Sequence, residues 1–395
     1  MRRQTVTPRD HWQQRVEKVG LTFHTLADGS LYWDESAYWQ FSAREIDRLE
    51  AATAEIQRLA LAAGDVILDQ NRLAQMGIPA AAHAAIRAAW NAEPPALYGR
   101  LDLAFDGDAI KLLEYNADTP TGLLEAAVAQ WYWLQDCFPD ADQFNSIHEK
   151  LIAKWKDLKD YVSSQVYFAD AGSDEDRMTT AYLEDTAHQT GLRTRHIAMH
   201  QIGWDAKRNL FVDLDNHPMG TLFKLYPWEW LLAEPFGAHA LETLPPGSAL
   251  HEYGPHKDRR MWGSMLWIEP IWKMMWSNKA LLAILWELNP GHALLLPAYL
   301  DGPRELKNYV RKPLLGREGS GIAVVRDGVC IEGSLDGDTA QGCVWQGLAS
   351  MAEAAGKTAV FGSWLVDGEP CGMGVRESRG PVTNNTSCFV PHLFR

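Results

Sequence analysis

Arg100, Asp102, Glu114 and Asn116 stand at alternating positions of YGRLDLAFDGDAIKLLEYNADTPTG, residues 98–122. Alternation is the period of a β-strand, so Arg100 and Asp102 share one face of a first strand, and Glu114 and Asn116 one face of a second. Two carboxylates and an amide oxygen are hard donors suited to Mg2+, which proteins commonly hold with one or two carboxylates plus substrate phosphates. A guanidinium beside them would stabilise charge on a transferring phosphoryl group. Whether the two polar pairs meet depends on the loop between the strands. A two-residue Asp-Gly turn would pair 105 with 108 and send the polar sets to opposite faces. A loop of three or five residues brings them together, so an odd loop over 106–110 is expected. An amphipathic hairpin with a solvated polar face would show the same pattern.

A second chemistry-bearing stretch is YVRKPLLGREGSGIAVV, residues 309–325. Glycines at 316, 319 and 321 let backbone N–H groups approach phosphate oxygens, and Lys312 and Arg317 add positive charge. The order G-x-x-x-x-G-K-[ST] is absent, so this is no Walker A loop. The pattern fits a flap between antiparallel strands that closes over a nucleotide; a basic hairpin in solvent is the alternative. In SNKALLAILW (277–286), Lys279 opens an apolar helix, where the helix dipole disfavours a cation. A phosphate contact would give it a task. Arg376 lies on a late strand among small residues (CGMGVRES). CVWQGLA (343–349) reads as a buried strand running into a bend that would offer backbone groups to adenine. His196 and His200 have the spacing of helical zinc pairs, but RHIAMHQI reads as a strand and no third ligand is evident. Cys137 has no His partner for thiol chemistry.

These residues need elements to hold them. Ser42 and Glu45 form a capping-box pattern ahead of a helix over 43–70, and a second helix is expected over 80–91. Thr121 or Gly122 opens another within 119–136, and one more covers 143–162. QVYFAD (165–170), a helix from 174 to 191 and TRHIAMHQI (194–202) make a strand–helix–strand unit, so a small α/β lobe is expected over about 163–260. Residues 234–260 read as loop-rich, and a helix follows near 273–288. From 307 the chain is β-rich with tight glycine turns. There is no internal repeat and no flexible linker, so one compact multi-lobed unit is expected.

The chain has 395 residues and a formal net charge of -14. That balance excludes a protein built to grip a phosphate backbone, and no nucleic-acid partner is expected. Five cysteines without a C-x-x-C exclude a zinc ribbon and a disulfide framework. MRRQTVTPRDHWQQ lacks the apolar core of a secretory signal, and the longest apolar runs are too short to span a bilayer. No membrane partner is expected, and a cytoplasmic location is.

Taken in order, R-x-D, E-Y-N-A-D-T-P-T-G, S-N-K-A, R-K-P-L-L-G-R-E-G and G-M-G-V-R-E resemble the glutathionylspermidine synthase family. The resemblance runs nearly end to end through LYWDESAYWQF (31–41), DEDR (174–177), FKLYPWEW (223–230), EPIWK (269–273) and FVPH (389–392). It is nearest to stand-alone synthetase-domain members described as acid–amine ligases. It implies an α+β architecture: a circularly permuted, glutathione-synthetase-like ATP-grasp fold with an added α/β pre-ATP-grasp lobe. One synthetase unit would span 1–395, with about 95–135 and 265–395 forming the ATP-grasp core. It implies ATP and Mg2+, and an amide joining a peptide-like or small acid to a polyamine-like amine such as spermidine through an acyl phosphate. On the same ground Asp102, Glu114 and Asn116 match metal ligands, and Arg100 matches the arginine at the transferred phosphoryl group. Lys279 and Lys312 match phosphate lysines, Gly316 and Gly319 the flap, Arg317 a holder of the acid, and Arg376 a further active-site arginine. Gln346 and Leu348 match the adenine hinge.

There are departures. Bifunctional members carry an N-terminal Cys/His amidase, whereas no Cys precedes Cys137 here, so the hydrolytic half is expected to be absent. Gly321 stands where the flap commonly has Asn. Glutathionylspermidine synthesis itself, and a non-catalytic ATP- or polyamine-binding role, are the alternatives to a general acid–amine ligase.

Overall fold

The 98–116 stretch forms a hairpin of strands Tyr98–Phe105 and Ile110–Asn116 in a computed structural model that describes residues 1–244, 264–335, 342–384 and 387–395. Phe105 pairs with Ile110, so the loop holds four residues, 106–109, and the odd loop is not found. The Asp106 carboxylate ties this loop by accepting the N–H groups of Asp108 at 2.9 Å and Ala109 at 2.8 Å. An even loop alone would turn Glu114 away from Asp102. A β-bulge at Leu113 inserts the missing residue. Beyond it Asp102 faces Glu114, Leu101 faces Tyr115 and Arg100 faces Asn116. The polar sets therefore do share a face, by a different device from the one expected.

The hairpin sits inside an antiparallel sheet. Tyr98–Phe105 pairs on its other side with Lys357–Val366, placing Gly362 opposite Asp102 and Trp364 opposite Arg100. Glu369–Ser378 follows, with Arg376 opposite Val360, and Cys388–Val390 closes the edge. The rear face is apolar: Leu101, Leu103, Phe105 and Tyr115 are buried in the main core. Helix Ala43–Asp69 covers it, started by the expected capping box of Ser42 and Glu45. Its Gln57 accepts the Tyr115 hydroxyl at 2.7 Å, and its Thr53 meets Ser363 at 2.7 Å. Burying such side chains contributes about 1.5–3 kcal/mol each.

A second antiparallel sheet runs in the order Ala298–Tyr299, Cys343–Gly347, Tyr309–Pro313, Ala323–Arg326, Val329–Glu332. The strand–helix–strand unit is present as Val166–Asp170, helix Asp174–Gln189 and Thr194–His196. It belongs to a parallel sheet with Thr221–Leu225 and Leu266–Ile268, so that sheet extends past residue 260. The strand expected to reach 202 ends at His196 and gives way to a 3-10 turn, Met199–Gln201. Within 234–260 a short helix, Gly237–Glu242, interrupts the expected loop, and residues from 245 onward lie outside those described.

The remaining helices differ mainly at their ends. Ala80–Ala92 matches expectation, while the helix expected over 143–162 covers Ile147–Leu158. The helix after the hairpin opens directly after Gly122 and carries a π turn, Glu125–Ala129, before Gln130–Cys137. The apolar run near 273–288 is broken into Met274–Ser277 and Ala280–Leu288. Asn278 causes the break: its side-chain oxygen accepts the Ala280 N–H at 2.9 Å. No helix among the described residues is long and apolar enough to cross a membrane.

Gly64 tests the packing of the helix that backs the hairpin sheet. An exposed helical Gly→Ala change stabilises by about 1 kcal/mol. Here an added Cβ would fall deep inside the van der Waals radius of the Trp90 indole. That ring is pinned by a 2.9 Å bond to Asp65 and by edge contacts with Trp272 and Trp276. Gly64→Ala should therefore destabilise by about 1–3 kcal/mol in urea unfolding; a stabilised variant would show that the ring is free to withdraw.

Candidate active site

The polar face of the hairpin forms the floor of a cleft of about 1170 Å³ lined also by the second sheet and its flap. Arg100, Asp102, Glu114, Asn116, Lys279, Lys312, Gly316, Arg317, Gly319, Gln346, Leu348 and Arg376 all border this one cleft, whereas Gly321, Cys137, His196 and His200 do not. Arg100 grips Asp102 in a two-point ion pair, Nε to Oδ1 at 2.6 Å and Nη2 to Oδ2 at 3.0 Å, and donates to the Thr121 carbonyl at 2.5 Å. Its guanidinium lies over the Trp364 ring at 5.7 Å. Burial opposes the charge on Arg100, yet the Asp102 carboxylate outweighs it and raises the pKa. Arg376 reaches the same carboxylate at 3.7 Å. Gly362 leaves room for this, because a Cβ there would come within 3.0 Å of the Arg100 side chain.

Glu114 accepts the Asn116 amide at 3.0 Å and meets Lys279 Nζ at 3.1 Å. Burial would push its carboxyl up, but Lys279 and Lys312 hold it well below the usual range. Lys312 descends from the second sheet and donates to the carbonyl of the bulged Leu113 at 2.9 Å and to Gln346 Oε1 at 2.7 Å. Burial pulls its pKa down to about 8, against the attraction of Glu114. Gln346 also donates to the Leu112 carbonyl at 2.9 Å. Its side chain is thus spent on Lys312 and the hairpin, and only backbone at this strand end could meet a base. The Leu348 N–H donates to the Asn308 carbonyl at 3.1 Å.

The flap runs from Leu314 to Ile322, with Gly319 and Gly321 both at left-handed φ of 74° and 69°. Lys279 Nζ donates to the Gly316 carbonyl at 2.7 Å. Arg317 leaves the second sheet altogether: it donates to Thr119 Oγ1 at 2.6 Å and Glu229 Oε1 at 2.9 Å, and lies 5.6 Å over the Trp230 ring. Glu229 and Trp230 follow the parallel-sheet strand Thr221–Leu225, so the flap is fastened to the third part of the molecule.

An acidic cluster that reaches the cleft through Asp176 was missed from the sequence. The Tyr32 hydroxyl lies 2.8 Å from Glu125 and 3.4 Å from Glu175, and Asp176 lines the cleft. Burial, reinforced by Glu175, pushes the Glu125 carboxyl up to about 7; burial likewise lifts Asp176 to about 6. The available signal was Glu125 itself, a carboxylate inside the apolar run LLEAAVA, since Glu is almost never fully buried without a purpose or partner.

The donor set on the floor fits Mg2+: two carboxylates and an amide on adjacent, facing positions, with lysines nearby to meet phosphate oxygens. A different trio, Asp213, Asp215 and His217, also has ligand atoms close together. Arg195 already pairs with both of those carboxylates, at 2.7 and 2.9 Å, which makes them an ion-pair cluster. His196 bonds Asp170 at 2.9 Å, and His200 sits apart from it in the 3-10 turn.

The family model described as glutathionylspermidine synthase preATP-grasp matches residues 3–395. A Haemophilus influenzae protein named "Putative acid--amine ligase" is 36% identical over 411 aligned residues, covering 100% of both chains. The "Trypanothione synthetase" of Crithidia fasciculata is 26% identical and covers 83% of this chain, which spans 52% of that protein. The "Bifunctional glutathionylspermidine synthetase/amidase" of Escherichia coli is also 26% identical, covering 91% of this chain and 59% of its own length.

The flap fastening is open to test. Glu229→Gln keeps the shape but removes the charge that holds Arg317. Loss of a partly exposed ion pair of about 1 kcal/mol raises the open population about fivefold. Trypsin should then cut at Arg317 about fivefold faster than in wild type, and an unchanged cutting rate would show that Glu229 does not hold the flap.

Proposed function

We propose that this chain, which belongs to the glutathionylspermidine synthase family, is an ATP-dependent ligase that joins a carboxylic acid to an amine. The observation that carries the reading is the facing of Asp102, Glu114 and Asn116 against Lys279 and Lys312 across one cleft. The architecture we assign is a circularly permuted ATP-grasp. In it about 95–135 and 265–395 form the nucleotide-binding core and about 163–260 the added lobe. The cytoplasm is the location we assign.

An unactivated carboxylate does not form an amide. Its oxygen attacks the γ-phosphorus of ATP, the bond to the bridging oxygen breaks, and ADP leaves with that electron pair. The amine then attacks the acyl carbon of the acyl phosphate, and inorganic phosphate leaves. Positioning and charge neutralisation dominate phosphoryl transfer. Asp102, Glu114 and Asn116 would hold Mg2+, which when bound neutralises the phosphate oxygens. Lys279 and Lys312 meet phosphates, and Arg100 and Arg376 face the moving phosphoryl group. Backbone at Gly316 and Gly319 closes over the nucleotide, with Leu348 at the adenine end. Arg317 receives the acid, exchanging its bond to Glu229 for the substrate's carboxylate. The flap keeps water from the acyl phosphate.

The amine arrives as an ammonium ion and must shed a proton. Asp176, in the wall of the cleft and lifted by burial to about 6, takes up the proton, with Glu175 and Glu125 adding negative charge nearby. A polyamine suits this wall. Glutathione and spermidine, which appear in the Escherichia coli relative's name, are the first pair to try.

The test is ADP release from Mg-ATP with spermidine across a panel of acids that includes glutathione and short peptides, with mass spectrometry for the new amide. Asp102→Ala or Glu114→Ala should cut turnover on the order of 100-fold or more while leaving the fold intact. A wild-type rate in either variant would remove the hairpin from the chemistry, and ATP binding without product for any acid would favour a binding role.

Lys312 sets a pH limit. It must be cationic to attract phosphate, and its pKa in the free protein is about 8. A lysine is charged below its pKa, so kcat/KM for ATP should decline as pH rises through about 8. Lys312→Arg stays charged and should flatten that decline; an identical decline in both proteins would assign it to another group.

A further inference from the structure

Asp118 lies two residues past Asn116 of the floor, is fully buried, and bonds to Lys224, Trp228 and Ser277. Its Oδ1 accepts Lys224 Nζ at 2.8 Å, and its Oδ2 accepts the Trp228 N–H at 2.9 Å. Its own N–H donates to Ser277 Oγ at 2.8 Å, and the Ala117 N–H donates to the same oxygen at 3.0 Å. Lys224, also fully buried, is completed by the Tyr226 carbonyl at 2.9 Å and the Trp228 ring at 4.7 Å.

Asp118, Ser277 and Trp228 each lie one or two residues from the machinery. Asp118 follows Asn116 of the floor. Ser277 precedes Lys279, which bridges Glu114 and the Gly316 carbonyl. Trp228 precedes Glu229, which holds Arg317. A buried ion pair is often no more stable than a well-packed apolar pair, so stability does not account for this one. What it uniquely provides is a fixed distance between three separate chain segments.

We propose that Asp118, with Lys224 and Ser277, is a positioning residue that sets the metal-ligand face against the phosphate lysine and the flap anchor. The proposal rests on the Mg-ATP reading above. Misplacing reacting or ligating groups by about 1 Å can cost two orders of magnitude, and such misplacement should appear in the coupling between metal and nucleotide before it appears in folding.

The experiment is calorimetric titration of the full chain with a non-hydrolysable ATP analogue, with and without Mg2+. Ser277→Ala removes only the tie between Asp118 and the Lys279 turn and leaves the Asp118–Lys224 pair intact. It should lower the Mg2+-dependent gain in affinity about tenfold, with little change in affinity for the metal-free analogue or in thermal midpoint. Ser277→Thr keeps the oxygen and should restore the gain. The double change Asp118→Asn with Lys224→Met, which leaves no charge stranded, should lose the gain as Ser277→Ala does. A folded Ser277→Ala with the wild-type gain overturns the positioning role alone. A wild type that binds no analogue overturns both the positioning role and the Mg-ATP reading.

Discussion

One extra residue in a strand decides where the charges of this protein lie. Without the bulge at Leu113, the register set by the four-residue loop would turn Glu114 and Asn116 toward the helix-covered face, among Leu101, Leu103 and Phe105, and Tyr115 out of it. A lone carboxylate there would cost several kcal/mol or take up a proton. With the bulge, Glu114 stands beside Asp102, and the freed Leu113 carbonyl points at Lys312. The same irregularity therefore builds the floor and attaches the roof.

The assembled site holds an excess of positive charge. Asp102 and Glu114 are surrounded by Arg100, Arg376, Lys279 and Lys312, all within one cleft. Such crowding is costly to desolvate, as the lowered pKa of Lys312 shows. It is suited to receive a polyanion that brings its own cation. Beside them the balance reverses: Asp176 lines the cleft, with Glu175 and the buried Glu125 close by. A chain with an overall charge of -14 thus keeps a local cationic floor in this cleft, with carboxylates close by.

Much of this was legible in local sequence. The alternation at 100–102 and 114–116 marked the hairpin face, the Ser42–Glu45 pair marked a helix start, and glycines marked the flap turns, two of which do adopt left-handed φ. What stayed hidden depends on contacts distant in the chain. KLLEYN has no local signature for a bulge, because pairing across the hairpin creates it. Arg317 was read as a flap charge and a holder of the acid, and its link to Glu229 crosses 88 residues. Gln346 was read toward adenine, and its commitment to Lys312 crosses 34. Tyr32 and Glu125 lie 93 residues apart and have no shared motif to announce them.

The central claim is that the bulged hairpin face is where metal and nucleotide meet. Crystals grown with Mn2+ and a non-hydrolysable ATP analogue test it directly through manganese anomalous scattering. The account predicts a peak within bonding distance of Asp102, Glu114 and Asn116, between them and the phosphates near Lys279 and Lys312. A nucleotide bound with its metal elsewhere, or a peak only at Asp213, Asp215 and His217, would contradict it.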